Sequence, residues 1–138
     1  MITFFWLCLL ITVLIGSLHI YWGLGGIKFS KGVLPEYKYN YHPQFFKKEP
    51  GFFMCLLVAL SFYTLAFLMV CNYLEPSNQV KYLLMTGILV FVLRFIGEFN
   101  CLGLFKRERD TLFAKMDYYI YMPYCVYMVI SLWYQISQ

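Results

Sequence analysis

Residues Gly51–Leu74 read GFFMCLLVALSFYTLAFLMVCNYL. This stretch carries no charged residue, and it is longer than the roughly 20 residues that a helix needs to cross the hydrocarbon core of a bilayer. Lipid offers no partner for an unpaired backbone amide, so a segment in that environment must be helical. The stretch therefore predicts a transmembrane helix.

Three further runs have similar length and apolar character, namely Ile2–Leu24, Val80–Leu102 and Met116–Ile136. The first has no basic n-region and no small-x-small cleavage site, so we interpret it as a retained span rather than a signal peptide. The predicted fold is all-α: a polytopic membrane protein whose residues 1–138 form a single domain, a bundle of four transmembrane helices.

Composition supports this prediction. Apolar residues make up 62% of the chain, charged residues only 13%, and the mean hydropathy is +0.65. Soluble domains use about 45–50% apolar and about 25% charged residues. No basic run alternates with aromatic residues, so nucleic-acid binding is not expected. The lipid bilayer is the expected partner.

The cysteines and histidines give no sign of a metal or cofactor site. No cysteine pair has C-x-x-C spacing, which argues against a zinc site and thiol–disulfide exchange. The five cysteines lie in apolar runs, as buried small hydrophobic residues do: Cys8, Cys55, Cys71, Cys101 and Cys125. Haem is not expected either, because His19 and His42 do not lie on facing helices at one depth. We expect no cofactor and no bound metal.

The basic residues predict the orientation. The connections Gly25–Pro50 and Gly103–Lys115 lie on the same side of the membrane in a four-span chain. Together they carry nine lysines and arginines, whereas the opposite side carries only Lys81. Positive charge in short connections marks the cytoplasmic side. We therefore expect a multi-pass protein of the plasma (inner) membrane with both termini outside the cytoplasm.

Four ionisable residues lie inside the predicted spans, where each costs about 2.5–3.5 kcal/mol at mid-bilayer. They are His19, Arg94, Glu98 and Asp117. At about 1.5 Å per residue, all four fall in the cytoplasmic half of the membrane. Small and polar residues share their helical faces. On the fourth span this face is Asp117, Tyr121, Tyr124, Met128, Ser131 and Gln135.

Two interpretations of this polar cluster remain open. In the structural one, Arg94 pairs with Glu98 one helical turn away, and His19 or Asp117 completes a buried network that fixes helix packing. In the functional one, the cluster is the floor of a ligand pocket or part of a proton path. The candidate ligand-binding residues are His19, Tyr21, Trp22, Arg94, Glu98, Asp117 and Tyr121.

Three residues are expected to leave room beside this cluster. Pro123 cannot donate a backbone hydrogen bond to the carbonyl of Tyr119, which predicts a kink in the fourth span. Gly16 and Gly23 present no side chain on the first span. The long connection at Gly25–Pro50 either folds over the cytoplasmic mouth as a lid or lies among lipid headgroups with its lysines on anionic lipid.

Several segments of the chain resemble one known family. They are LHIYWGLGG (Leu18–Gly26), VLP (Val33–Pro35), RFIGEFN (Arg94–Asn100) and FAKMDYYIYMPYC (Phe113–Cys125). Together they are similar to a family of small bacterial four-span membrane proteins that is catalogued only as a domain of unknown function. The resemblance covers essentially the whole chain. It implies the same span count and no particular activity.

The favoured function is binding of a small amphipathic ligand or a partner helix at the cytoplasm-facing polar site. The protein would then be an accessory, sensing or transport-related component, with a homodimer or another membrane protein as a possible partner. One alternative is a membrane-embedded enzyme that uses His, Glu or Asp as acid and base on a lipophilic substrate. Another is an immunity or stress protein that occupies a partner in the membrane.

Overall fold

A computed structural model describes residues 2–26, 28, 51–97, 103–106, 109 and 111–137 of the chain. Every regular element among these residues is helical. The elements in chain order are α1 (Ile2–Gly23), α2 (Phe52–Leu74), α3 (Asn78–Ile96), α4 (Leu112–Met116), a π-helical segment (Asp117–Tyr121) and α5 (Met122–Ile136). The prediction of an all-helical fold is confirmed.

Three of the described helices are long and apolar enough to cross a membrane: Thr3–Gly23, Phe52–Leu74 and Asn78–Ile96. Large apolar side chains on each of them are exposed, such as Leu10 on α1, Phe67 on α2 and Leu89 on α3. Such a surface is stable in lipid and costly in water. The chain is therefore a helical membrane protein.

The third helix is shorter than expected. The sequence predicted a span to Leu102, but α3 ends at Ile96 because Gly97 adopts a positive φ of 83°. A glycine with positive φ is the usual helix terminator, since it has no Cβ to clash there. α3 thus ends before position 98, and the predicted pairing of Arg94 with Glu98 stays a prediction because Glu98 lies outside the described residues.

The expected fourth span is not one uninterrupted α-helix. Helices of five and fifteen residues flank a five-residue π-helical segment, in which the amide of Met122 donates to the carbonyl of Asp117 five residues back. Pro123 follows directly and has no amide to continue the α-helical pattern. Where the sequence predicted a kink at Pro123, the structure has a π-helical segment just before it. Such segments are frequent at functional sites.

The helices associate mainly in two pairs, α1 with α2 and α3 with α5. The core lies where the pairs meet, and its buried members are Phe5, Cys8, Leu65, Met69, Leu84, Phe91, Cys125, Met128 and Leu132. The inward stripe predicted for the fourth span is found: Asp117, Met128, Ser131 and Gln135 are buried, and Tyr121 and Tyr124 are half-buried.

The glycines of α1 do not leave empty space. A Cβ on Gly16 would lie 3.4 Å from Phe62 Cβ, and a Cβ on Gly23 would lie 3.0 Å from Cys55 Cβ, so α2 fills both positions. Small residues let membrane helices approach closely. The expectation that these glycines widen the bundle is therefore wrong; they allow α1 to pack tightly on α2.

Candidate functional site

The candidate site is built around Asp117, whose side chain is completely buried. Its Oδ1 accepts a hydrogen bond from Arg94 Nη2 at 2.7 Å, and its Oδ2 accepts from Lys106 Nζ at 2.9 Å. The backbone amide of Gly103 also donates to Oδ2 at 2.9 Å. We call Arg94, Lys106 and Asp117 the ionic cluster.

Two cations share one carboxylate in the ionic cluster. The side chain of Lys106 is 5% exposed and that of Arg94 is 31% exposed. Opposite charges and hydrogen-bond donors favour the ionised carboxylate. Among the described residues, no second acidic side chain contacts either cation, so the described cluster carries a net positive charge.

The first turn of α4 positions the side chain of Lys106. Thr111 caps α4, because its hydroxyl accepts the amide of Ala114 at 3.1 Å. Lys106 Nζ donates to the carbonyl of Ala114 at 2.7 Å as well as to Asp117. The ammonium group is therefore hydrogen-bonded on two sides by the first turns of the fourth helical run, which accounts for its burial.

Gly97 and Gly103 lie together at a turn after α3, and Gly103 contacts the carboxylate of Asp117. The amide of Leu104 donates to the carbonyl of Phe95 at 3.0 Å, so the chain returns to the end of α3. Gly97 and Gly103 both have positive φ, at 83° and 82°. Gly103 also lies against the backbone of Gly97, with no room for a side chain. This close approach directs the Gly103 amide at Asp117.

His19 and Trp22 belong to a second group on α1 and α2. His19 Nδ1 lies 2.8 Å from the carbonyl oxygen of Ile15, and its ring stacks on Phe62 at 5.9 Å. The Trp22 ring meets His19 edge-on at 5.2 Å, and Trp22 Nε1 donates to the carbonyl of Lys28 at 3.0 Å. The described contacts of these two rings do not include the ionic cluster.

A row of rings runs between these two groups. Phe62 of α2 contacts Phe91 of α3 with centroids 6.4 Å apart, and Phe91 contacts Tyr124 of α5 at 5.9 Å. Together with His19, this row links all four long helical runs. Phe91 belongs to the apolar core, and Phe62 and Tyr124 pack against it. We call the end of the bundle that holds the ionic cluster the Asp117 end.

Two further candidates, Tyr121 and Tyr21, lie at the same end, and Glu98 lies outside the described residues. Tyr121 is half-buried, and its ring centroid is 6.2 Å from that of Phe113. Tyr21 is 40% exposed, and its backbone carbonyl accepts the amide of Gly26 at 2.9 Å. The structure thus brings Arg94 and Asp117 into direct contact. The predicted convergence on one cavity open to the cytoplasmic side stays a prediction, and its members are His19, Trp22, Arg94, Glu98 and Asp117.

Sequence reasoning missed two participants, Lys106 and Gly103. Both lie in a connection, where Lys106 counted only as one of the basic residues that predict orientation. No helical periodicity extends to such positions. The one available signal was the Gly-x-x-Lys arrangement between an intramembrane arginine and an intramembrane aspartate, and it is too weak to identify a contact.

Comparison with known proteins gives one match. Residues 12–132 match the model of a family described as "Protein of unknown function (DUF3995)". No curated protein and no solved structure matches the chain. The matched segment includes His19, Arg94, Lys106 and Asp117, and it covers most of the chain. The chain therefore belongs to this family of proteins of unknown function.

Proposed function

We propose that the protein crosses the membrane four times and binds an anionic amphipathic molecule at the Asp117 end. The fourth crossing would be the continuous helical run formed by α4, the π-helical segment and α5. Its outer face carries exposed Ile120, Val126, Ile130 and Trp133, as a lipid-facing surface requires. A run of this length exceeds the roughly 30 Å of a hydrocarbon core.

The orientation of these spans can be tested directly. Nine basic residues in the two longer connections predict that both termini lie outside the cytoplasm of the plasma (inner) membrane. We expect alkaline phosphatase fused after Gln138 to be active in a bacterial host and a green fluorescent protein fused there to be dark. The reverse pattern would place the Asp117 end on the outer side.

The observation that carries the binding proposal is the excess positive charge of the ionic cluster. Arg94 Nη2 is bound to Asp117, whereas Arg94 Nη1 is buried and has no hydrogen-bond partner among the described residues. A guanidinium group offers five donors, and it binds carboxylate and phosphate groups in a paired geometry. An acidic headgroup at Arg94 would complete the charge balance of the cluster.

An apolar groove on the surface of α3 and α5 supports the amphipathic nature of the proposed ligand. The groove lies between α3 and α5 and has a volume of about 150 Å³. Its lining residues are Val92, Phe95, Cys125, Val126, Val129 and Ile130. Phe95 lies at the level of Arg94 on α3 but on a neighbouring face, since consecutive helical residues point in different directions. The alkyl chain of the proposed ligand would therefore have to turn around α3 to enter this groove.

Binding accounts for the described contacts better than acid–base catalysis does. Asp117 accepts three hydrogen bonds from Arg94, Lys106 and Gly103, which favours a permanently ionised carboxylate. His19, the other candidate acid or base, packs against rings of α1 and α2. A general acid and base would need to meet the same substrate atoms.

We expect Arg94→Gln to weaken binding of laurate about tenfold, because a charge-assisted hydrogen bond contributes about 1.5 kcal/mol or more. Affinity is measured by ligand-dependent thermal shift in a non-ionic detergent. Lys115→Gln is the matched control, since Lys115 is exposed near the same end of the bundle. Dodecanol, which has the same chain length without the charge, should bind more weakly than laurate.

A charge-conserving variant separates binding from folding. Arg94→Lys should retain laurate binding if the headgroup recognises positive charge. If Arg94→Gln and Lys115→Gln bind laurate equally well while both remain folded, the proposed site is wrong.

A further inference from the structure

The opposite end of the bundle, where α2 and α5 end, contains a second buried polar group that is independent of the proposed function. Asn72 on α2 is 5% exposed, and Ser131 and Gln135 on α5 are 1% and 8% exposed. Ser131 and Gln135 lie one helical turn apart on the inward face of α5. We call these three residues the amide site.

Hydrogen bonding within the amide site is incomplete. Asn72 Nδ2 donates to the backbone carbonyl of Gln135 at 3.0 Å. Asn72 Oδ1, Gln135 Oε1 and Ser131 Oγ are buried and have no hydrogen-bond partner among the described residues. Rotating the Asn72 amide by 180° would not help, because it would break the bond to Gln135 and place two acceptors together.

Unpaired oxygens at this position are unfavourable unless a ligand satisfies them. Buried polar groups in proteins nearly always have a partner, and inside a membrane bulk water cannot replace it. Two of the three unpaired atoms are amide oxygens, which accept hydrogen bonds or bind cations but cannot donate. The ligand must therefore be electropositive at the atom that contacts them.

The helix ends make the local field negative. α2 ends at Leu74 and α5 ends at Ile136, so the carboxyl ends of two helices lie beside the amide site. The carboxyl end of a helix carries about half a negative charge, which favours cations nearby. Oxygen ligands also suit hard monovalent cations and ammonium.

We propose that Asn72, Ser131 and Gln135 form a binding site for a small electropositive ligand. Its chemistry is that of a hydrated monovalent cation, an ammonium ion or a water molecule that donates hydrogen bonds to the two amide oxygens. Asn72 and Gln135 lie within one turn of the ends of α2 and α5, and Ser131 lies one turn further into the bundle. Such a ligand would enter from the ends of these two helices.

The first measurement shows whether the ligand at the amide site is a small cation or a water molecule. Thermal unfolding of the wild-type protein in detergent is compared in sodium, potassium, ammonium and choline chloride at equal ionic strength. A bound small cation should raise Tm by about 2 °C or more over choline, in a saturable manner. This shift should disappear in Gln135→Leu and persist in Gln79→Leu, because Gln79 is exposed at the same end.

The second measurement applies if all four salts give the same Tm. Ser131→Ala and Asn72→Leu are then compared with Gln79→Leu. A site occupied by water predicts that Ser131→Ala lowers Tm, since it removes a satisfied hydrogen-bonding group. Asn72→Leu lowers Tm with or without water, because it also removes the bond from Asn72 Nδ2 to Gln135. The proposal is overturned if Ser131→Ala raises Tm or leaves it unchanged, as in a dry cluster, or if a cation-dependent shift survives Gln135→Leu. Ser131→Ala removes a single oxygen atom, so the comparison does not depend on a large change in packing.

Discussion

Asp117→Asn should lower the thermal stability of the protein more than any other conservative substitution of a charged residue. The change keeps the size of the side chain but leaves Arg94 and Lys106 without their shared counter-ion. Stranding a buried charge costs about 3–5 kcal/mol, which corresponds to a loss of more than about 10 °C in Tm. The measurement is thermal unfolding in detergent, followed by intrinsic fluorescence.

Two further variants show whether the loss of Tm in Asp117→Asn comes from the ionic cluster. Glu75→Gln makes the same chemical change at an exposed carboxylate and should leave Tm nearly unchanged. A triple variant with Arg94→Met, Lys106→Met and Asp117→Leu removes all three charges and should be more stable than Asp117→Asn, because no ion remains unpaired. If Asp117→Asn behaves like Glu75→Gln, the three charges are not coupled.

The second large effect is expected for Gly103→Ala. A Cβ at this position would overlap the carbonyl oxygen of Ile96 and lie 2.5 Å from Gly97 Cα. These are backbone atoms, so no side-chain rotation relieves the overlap. The turn would have to open, and the amide of Gly103 would move away from Asp117. We expect a loss of about 3 kcal/mol or more, measured by the same unfolding assay.

Gly103→Ala has two costs, the positive φ of the backbone and the overlap of the new Cβ with backbone atoms. Gly25→Ala has only the first of them. Gly25 has a similar positive φ of 89°, but a Cβ there would meet no atom within 4 Å. Its substitution therefore reports only the cost of placing alanine at positive φ, about 1 kcal/mol. Equal losses for the two variants would mean that the Gly97–Gly103 contact does not hold the turn closed.

The ionic cluster and the glycine turn form one structural unit. Asp117 is held by a side chain before the turn, by the amide at the end of the turn and by a lysine after it. The π-helical segment begins at Asp117 itself, and its extra residue per turn precedes Pro123. A change at any of these positions should therefore affect the availability of Arg94 for a ligand.

The sequence alone was sufficient for the bounds of α1 and α2 and for the inward face of the fourth helical run. α1 and α2 lie within a residue of the predicted bounds, because long uncharged runs in lipid have no alternative to the helix. The polar stripe on the fourth span was also predictable. Its residues repeat at three and four positions, and this spacing places them on one side of a helix whatever the partner helices are.

The partners of the polar residues were decided only by the tertiary structure. Periodicity gives the face and depth of Arg94, but it does not say that α3 ends two residues later at Ile96. That end depends on Gly97 taking a positive φ, which the packing of Gly103 against it stabilises. The arginine reaches Asp117, 23 residues away in the chain.

The roles of Gly16, Gly23 and Lys106 were also decided only by the tertiary structure. A glycine on a helix face is compatible with an empty space or with a neighbouring helix, and only the packing of α2 shows that Gly16 and Gly23 are close contacts. The sequence around Lys106 predicts a loop. Lys106 is buried because its ammonium group donates hydrogen bonds to both the carbonyl of Ala114 and the carboxylate of Asp117. Hydrophobic pattern determines which residues leave water, whereas hydrogen-bond geometry between distant segments determines which polar groups can follow them.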